Sequence, residues 1–566
     1  MKHFKRAAAM LLAVVLSLCL AVTAFAADTV QKTGTLTVTG SGLYVPGADG
    51  AAGEGKKVTA IRMFTARVTD DADDATTNTI DSYVLEEKWE AFFKQADVFQ
   101  AMKGAGATTA NAVTDLDSAA LSDAAVAYIN TLKNEKDTNK GTLADFAHKA
   151  QKWARVKANN DILTDAGLIK TETANTANDS SDVTKGTARF DGLTAGYYLV
   201  FPEGGSTGKD NRGTDAILVN VPRNGGNTAA TIKSKFPTVE KQVSNNKIDY
   251  KDNTTAQVGD TVTFKLTAKV PDMTDYNNYQ FIFHDTLSNG LSFDKNSVKV
   301  TVANAVVTKD TAYTVDEPSG TSKELTVKFG NLKNVAGADT GAEIVVTYTA
   351  KITKDAVKEK PAENSVYLEY SNDPSSDGLG KSNPDVSKVY TYQIDIDKFA
   401  VTTENTHKQL AGATFELRAT ADGTAIELVK ESTQDNTLVY HIKGTDEIKE
   451  TSVTKVTTPD TGKITIKGLN AGTYYLYETM APTGYNKLKE PIKIVIAPDT
   501  GDLGKFTYTV NGKDNAKDDT TIKVENVKGI MLPETGSIGT IGLTVLGVAV
   551  VLLGVFAPRK KKKENQ

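Results

Sequence analysis

Cysteine is all but missing. The single one, Cys19, lies in an N-terminal stretch that reads as a leader, so the remainder of the chain has no thiol with which to build a disulfide. Any covalent bracing must come from other chemistry. Histidine is nearly as scarce: His3, His148, His284, His407 and His441 are scattered, none at the spacing of a metal-ligand pair, which argues against a zinc site or His-based catalysis. No metal and no cofactor is expected. Neither sign of charge dominates, with 65 basic and 70 acidic residues and a net charge of −5, so no basic field exists to hold nucleic acid. A phosphate-cradling glycine loop and a nucleophile elbow are also lacking, and a turnover enzyme is not expected. The acidic run Asp70, Asp71, Asp73 and Asp74 reads as a solvated loop rather than a cation site.

What the chain does have is concentrated first at its ends. Residues 1–26 combine Lys2, Lys5 and Arg6, an apolar stretch over 7–21 and Ala24-Phe25-Ala26, the anatomy of a secretory signal peptide cleaved after Ala26. The rival is a lipoprotein leader lipidated at Cys19, but Leu18 stands where such signals need a small residue. At the other end, within 532–566, Leu532-Pro533-Glu534-Thr535-Gly536 precedes an apolar run over 538–557 and the basic stop Arg559-Lys560-Lys561-Lys562-Lys563. The run is long enough to span a bilayer as a helix, with the basic tail on the cytoplasmic side. This trio resembles the cell-wall sorting signal of Gram-positive surface proteins. The resemblance implies that a sortase cysteine attacks the Thr535 carbonyl, releases the chain from Gly536 onward and passes the acyl group to an amine. Sortase and peptidoglycan are the partners it implies.

Between the ends, 566 residues are too many for one domain, and three modules are expected: 27–235, 236–389 and 390–528. The first has strand-like segments at 34–40, 57–68, 192–202 and 216–221 around a middle, 85–168, with helical spacing in Trp89, Phe92 and Phe93 and in Leu143, Phe146, Ala150 and Trp153. The second and third alternate apolar and polar residues, as in Val262-Phe264-Leu266-Ala268-Val270 and Ile344-Val346-Tyr348, and are punctuated by Asn289-Gly290, Asp373-Pro374, Pro459-Asp460 and Asn511-Gly512. The expected class is mainly β: tandem immunoglobulin-like sandwiches with a helical excursion in the first. An internal echo links modules one and three, Gly192-Leu193-Thr194-Ala195-Gly196-Tyr197-Tyr198-Leu199 against Gly468-Leu469-Asn470-Ala471-Gly472-Thr473-Tyr474-Tyr475-Leu476.

Residues two apart in a strand share a face. Lys241 therefore falls on the apolar face of Val239 and Val243, Asp285 on that of Phe281 and Phe283, and Asn364 on that of Val366, Leu368 and Tyr370. In the third module Lys398 follows Ile394 and Ile396, Glu478 follows Tyr474 and Leu476, and Asn526 follows Ile522 and Val524. The second and third modules thus each turn one Lys, one acid and one Asn inward. A buried unpaired charge is prohibitively costly, so an ion pair with a nearby amide is the simplest reading. Burial also lowers a lysine and raises a carboxyl, and a proton exchanged between them leaves a neutral, nucleophilic amine beside an acid able to bond the Asn carbonyl and shuttle protons. The outcome would be a Lys–Asn isopeptide bond, formed once by the chain itself with loss of ammonia.

Val239-Glu240-Lys241, Asp285-Thr286-Leu287-Ser288-Asn289-Gly290-Leu291 and Glu363-Asn364-Ser365-Val366 resemble the isopeptide-forming middle domain of Gram-positive fimbrial subunits. Asp395-Ile396-Asp397-Lys398, Leu410-Ala411-Gly412-Ala413-Thr414-Phe415, Tyr475-Leu476-Tyr477-Glu478-Thr479 and Val524-Glu525-Asn526 resemble a collagen-adhesin B-type domain, with Glu478 in the position of its E-box acid. The whole is similar to a sortase-assembled major (backbone) pilin, with sandwiches of the collagen-adhesin A and B types. The resemblance implies bonds Lys241–Asn364, promoted by Asp285, and Lys398–Asn526, promoted by Glu478, each joining a first strand to a last. Module one departs: its E-box position falls on Pro202 or Phe201, its first strand has no inward lysine, and no isopeptide bond is expected there.

Pilins of this kind offer a lysine near the end of the first domain to the threonine of the next subunit. Here that stretch reads Ala230-Thr231-Ile232-Lys233-Ser234-Lys235-Phe236-Pro237, which makes Lys233 the expected acceptor and Lys235 its alternative. Neighbouring subunits, and host surface ligands in the case of an adhesin, complete the partners that the resemblance implies, on a cell-wall-attached pilus.

Overall fold

A computed structural model describes residues 33–528 apart from 48–52, 68–81, 133–141, 178, 180, 205–215, 223–225, 233–235, 275, 359–360, 375–376, 403–405, 432, 434 and 446. Strands account for 48% of the described residues and helices for 14%, which places the fold in the mainly β class. It divides into two compact units. One lies within Met1–Leu43, Lys57–Pro202 and Thr214–Lys233, the other within Tyr44–Lys56, Glu203–Gly213 and Ser234–Gln566.

In the first unit Thr33–Gly40 lies between Asn227–Thr231, which runs parallel to it, and the antiparallel Gly186–Thr194. A second sheet centres on Lys57–Arg67, flanked by Gly196–Pro202 and Ser82–Leu85. Residues 192–202, expected as one strand, are two: the chain leaves the first sheet at Thr194 and enters the second at Gly196. Gly192, at φ +70°, begins the corner, and the Tyr198 hydroxyl fastens it by donating to the Thr194 carbonyl at 2.7 Å. The echo in the third module does the same. Gly468 has φ +80°, the chain crosses from Lys463–Leu469 to Gly472–Met480 in the opposite sheet, and Tyr474 donates to the Asn470 carbonyl at 3.1 Å. The repeated motif is a sheet-to-sheet corner pinned by a tyrosine.

The helical excursion comprises Glu90–Phe93, Ala96–Gly104, Ser118–Thr131, Leu143–Arg155 and Lys157–Asp165. Asp117 caps Ser118–Thr131 by accepting from Ala120 N–H, and Thr142 caps Leu143–Arg155 by accepting from Asp145 N–H. Trp89, Phe92, Phe93, Phe146 and Trp153 meet edge-on or tilted around their shared core.

The second unit holds two pairs of sheets. In the first pair, Val239–Ser244 is the edge of a sheet that continues through Thr261–Lys269 to Glu343–Ile352. Facing it, Phe281–Leu287 is flanked by Glu324–Phe329 and Ala362–Ser371, and Ala362–Ser371 pairs in turn with Asp385–Tyr390. Phe264, Phe281, Phe283, Tyr348 and Tyr370 are fully buried between the two sheets, each contributing about 1.5–3 kcal/mol. In the second pair, Tyr392–Val401 is central, with Lys463–Leu469 antiparallel on one side and Thr521–Glu525 parallel on the other. The opposing sheet carries Thr414–Arg418, Gly472–Met480 and Ile492–Asp499. The two pairs are joined closely: Val258 N–H donates to the Gly468 carbonyl, Ala256 N–H donates to that of Tyr390, and a Cβ on Gly468 would stand 2.6 Å from Val258 Cγ2.

Candidate functional site

Alternation along the strands turns all six inward residues into the cores. Lys241 and Asn364 are 0% exposed and Asp285 is 1%; Lys398 is 0%, Asn526 1% and Glu478 5%.

In the middle site, Lys241 crosses from its edge strand to the facing sheet. Its Nζ donates to Asp285 Oδ2 at 2.5 Å and to the Tyr348 hydroxyl at 3.3 Å. The Lys241 backbone is fixed as well, its N–H donating to Asp385 and its carbonyl accepting from the Ser387 hydroxyl. Tyr348 donates to Asp285 Oδ2 at 2.9 Å and accepts from Asn364 Nδ2 at 2.5 Å. Leu287 and Asn364 are register partners, which sets Asp285 and Asn364 two residues apart along adjacent strands. The Phe264 and Tyr348 rings flank the ammonium at 5.0 and 5.6 Å. Burial pulls Lys241 below the usual lysine range against the opposing effect of Asp285, and pushes Asp285 above the carboxylate range against that of Lys241. It also drives the Tyr348 phenol well up, which keeps its proton in place. Among the described residues, Asp285 Oδ1 and Asn364 Oδ1 have no hydrogen-bond partner.

The third-module site has a different layout. Lys398 pairs with Val524 on the adjacent parallel strand, and Asn526 follows that strand, its N–H donating to the Phe399 carbonyl. Lys398 Nζ donates to the Val524 carbonyl at 3.0 Å and stands 3.8 Å from Glu478 Oε1. Glu478, from the opposite sheet, accepts from Asn526 Nδ2 at 3.0 Å and from Leu488 N–H at 2.8 Å. Burial lowers Lys398 from 10.5 to about 8, with Glu478 acting in the opposite sense. Glu478 thus meets the amide nitrogen of Asn526 rather than the carbonyl expected from the sequence.

Two features escaped the sequence reading. Tyr348 was legible as an inward residue of an alternating run, but its hydroxyl at the centre of the middle site was not. The strand carrying Asn364 is not the last of its sandwich, because Leu379–Lys381 and Asp385–Tyr390 follow it and pair with it. The expectation of a first-to-last-strand bond is therefore corrected for Lys241–Asn364, while the layout of Lys398 and Asn526 matches it. In the first unit the inward residues of Thr33–Gly40 are Gly34, Leu36, Val38 and Gly40. Lys233, Lys235, the acidic run at Asp70–Asp74, the leader, and Leu532, Pro533, Glu534, Thr535 and Gly536 with the apolar run behind them lie outside the described residues. No helix among the described residues is long and apolar enough to cross a membrane, and no group of His, Cys, Asp and Glu there could hold a metal ion. A cleft of about 760 Å³ lined by Phe293, Lys295, Lys323, Lys354 and Glu450 contains none of the six site residues.

Comparison with known families gives three matches. Residues 258–374 match the Gram-positive pilin backbone subunit 2, Cna-B-like domain; residues 395–512 match the SpaA prealbumin-like fold domain; residues 525–566 match the LPXTG cell wall anchor motif. No curated protein sequence matches the chain. Among solved structures it is similar to the major pilin SpaA of Corynebacterium diphtheriae, at 16% identity over 87% of this chain and 99% of that one, with a TM-score of 0.41. It is similar also to the full-length major pilin SpaD of the same organism, at 18% identity over 88% and 98%, with a TM-score of 0.37. A third is the 35 kDa C-terminal fragment of the major pilin GBS80 of Streptococcus agalactiae, at 23% identity over 52% and 100%, with a TM-score of 0.38. In succession the chain carries a Gram-positive pilin-backbone domain, a prealbumin-like domain and an LPXTG cell-wall anchor motif, the domains of a cell-wall-anchored surface pilin.

Proposed function

We propose that this chain is the shaft subunit of a covalent pilus, polymerised by sortase from Thr535 of one copy to Lys233 of the next and braced internally by two Lys–Asn isopeptide bonds. The modules are 27–235, 236–389 and 390–528, behind a signal peptide over 1–26. The observation that carries the reading is the burial of two lysines, each beside a buried acid and a buried asparagine amide, in a chain that ends in an anchor motif. In each bond the neutral lysine nitrogen attacks Asn Cγ, the Cγ–Nδ2 bond breaks, and one proton passes from the lysine nitrogen to the departing nitrogen, which leaves as ammonia. This is a single event per molecule and not turnover. Asp285 and Glu478 are the acids that accept and return the proton.

A shaft grows because its acyl donor and amine acceptor lie at different places on the subunit, so addition propagates without closing. Cell-wall extracts should show a ladder of polymers by electrophoresis. Lys233→Ala should abolish the ladder and leave monomer joined to peptidoglycan, while Lys235→Ala should change little. A ladder lost only in the Lys235 variant moves the acceptor by two residues, and one that persists in the double variant refutes both. Absence of a ladder in the parent means a wall-anchored monomer, the adhesin reading, with host ligands as its partners.

A further inference from the structure

We infer that Tyr348 is a catalytic residue of the middle site, the relay through which the departing nitrogen of Asn364 receives its proton. This rests on the Lys241–Asn364 reading above. The bond requires one proton to leave Lys241 Nζ and one to reach Asn364 Nδ2. The structure gives an unbroken path between those atoms: Lys241 Nζ to Asp285 Oδ2 at 2.5 Å, Asp285 Oδ2 to the Tyr348 hydroxyl at 2.9 Å, and the hydroxyl to Asn364 Nδ2 at 2.5 Å. Among the described residues Asp285 makes no hydrogen bond to the asparagine nitrogen, so the carboxyl alone does not complete the transfer, whereas in the third module Glu478 touches Asn526 Nδ2 directly.

The step balances. Asp285 takes the proton from Lys241, and the freed nitrogen lone pair forms the Nζ–Cγ bond. As Cγ becomes tetrahedral, Nδ2 loses its amide conjugation and gains a lone pair. The Tyr348 hydroxyl turns to give it a proton and recovers one from Asp285. Asp285 then takes the second proton from Nζ, the Cγ–Nδ2 bond breaks, ammonia leaves, and Asp285 and Tyr348 both end protonated, as they stood when the attack began. The hydroxyl has one proton to give and two lone pairs, enough for its three neighbours. A phenol held well above its usual range returns to the protonated state after each transfer, as a relay must.

The test is a time course of ammonia loss in newly synthesised secreted chain, assigned by mass spectrometry of the crosslinked peptides, with the Lys398–Asn526 bond in the same molecule as the clock. Tyr348→Phe keeps ring and shape and removes the relay. It should slow the Lys241–Asn364 bond by roughly 10²–10⁴-fold, the scale of general acid–base assistance, and leave the other bond at its parent rate. A middle bond that keeps pace in the Phe variant overturns the relay while the crosslink stands. Absence of the middle bond from the parent overturns the crosslink reading itself. Ring-fluorinated tyrosines at position 348 separate proton transfer from packing, since they retain the hydroxyl but make it more acidic. The rate should follow phenol acidity, and a rate indifferent to it leaves Tyr348 a packing residue and refutes the proposal.

Discussion

Lys241 meets its acid head-on at 2.5 Å, from the opposite sheet, while its asparagine is reached through a tyrosine. Lys398 stands 3.8 Å from Glu478 and donates instead to a backbone carbonyl, while its acid holds the asparagine directly. The first arrangement joins two sheets and the second joins neighbouring strands of one sheet. Both bury the same three chemical groups, so what differs is which pair is already in contact before reaction. The middle site has its proton exchange prepared, and the other has its leaving group prepared.

Removal of either acid gives the largest effect that bears on this contrast. A crosslink closing a loop of the size of 241–364 or 398–526 is worth about 5 kcal/mol if it acts as a disulfide does. Asp285→Ala and Glu478→Ala should each restore one ammonia to the mass and lower the melting temperature of their own sandwich by roughly 10–20 °C. Asp285→Ala should do more, because Asp285 accepts directly from Lys241 Nζ at 2.5 Å, whereas Glu478 stands 3.8 Å from Lys398, which donates to the Val524 carbonyl. Equal losses in calorimetry would remove that distinction.

Pulling should separate the two sites next. A Lys398–Asn526 bond would tie the strand by which tension enters to the strand by which it leaves. A Lys241–Asn364 bond would not: the remainder of the Asn364 strand and Asp385–Tyr390 lie between the bond and the next sandwich. Asn364 is register partner to Ser387, so load on Asn364 and on the chain beyond Tyr390 unzips that pair from its end. Single-molecule extension should release up to about 85 Å from the middle sandwich, roughly 25 residues at ~3.4 Å each, and almost nothing from the third. Full unravelling of either crosslinked sandwich would contradict the bond assigned to it.

The smallest effect is the pH dependence. Lys241 is lowered and Asp285 raised, so a proton passes within the pair without exchange with solvent, and the rate of the middle bond should be flat across neutral pH. Lys398 is lowered to about 8, and its bond should form faster as pH rises through that value. In Asn526→Ala, which cannot crosslink, the unfolded chain binds the lysine proton between about 8 and 10.5 while the folded one does not. Stability should therefore rise with pH over that window and be lowest below it. A flat profile for the third-module bond would mean that the amine is already neutral at lower pH.

The six buried polar residues were legible because period-two alternation is unforgiving: a polar side chain in phase with Phe281 and Phe283, or with Ile394 and Ile396, has no route to water. The helical excursion was legible for the analogous reason, its aromatics recurring at helical spacing. Tyr348 was not, since tyrosine suits an inward strand position whether or not its hydroxyl has work there. The corner at Ala195 was hidden because Tyr197 to Pro202 continue the apolar pattern across a change of sheet. The extra strand after Asn364 was hidden too, because Asp385–Tyr390 has weak alternation and reads as a joint beside Pro384. Which strand pairs with which is set by packing between segments far apart in sequence, and alternation within one segment carries none of that information.

The central claim is that each buried lysine becomes an amide of its asparagine. Intact mass spectrometry of the secreted region, followed by mapping of proteolytic fragments, tests it most directly. The account requires a mass two ammonia molecules below that of the sequence, with one branched peptide joining Lys241 to Asn364 and another joining Lys398 to Asn526. A mass equal to that of the sequence, with all four residues recovered in linear peptides, would contradict it.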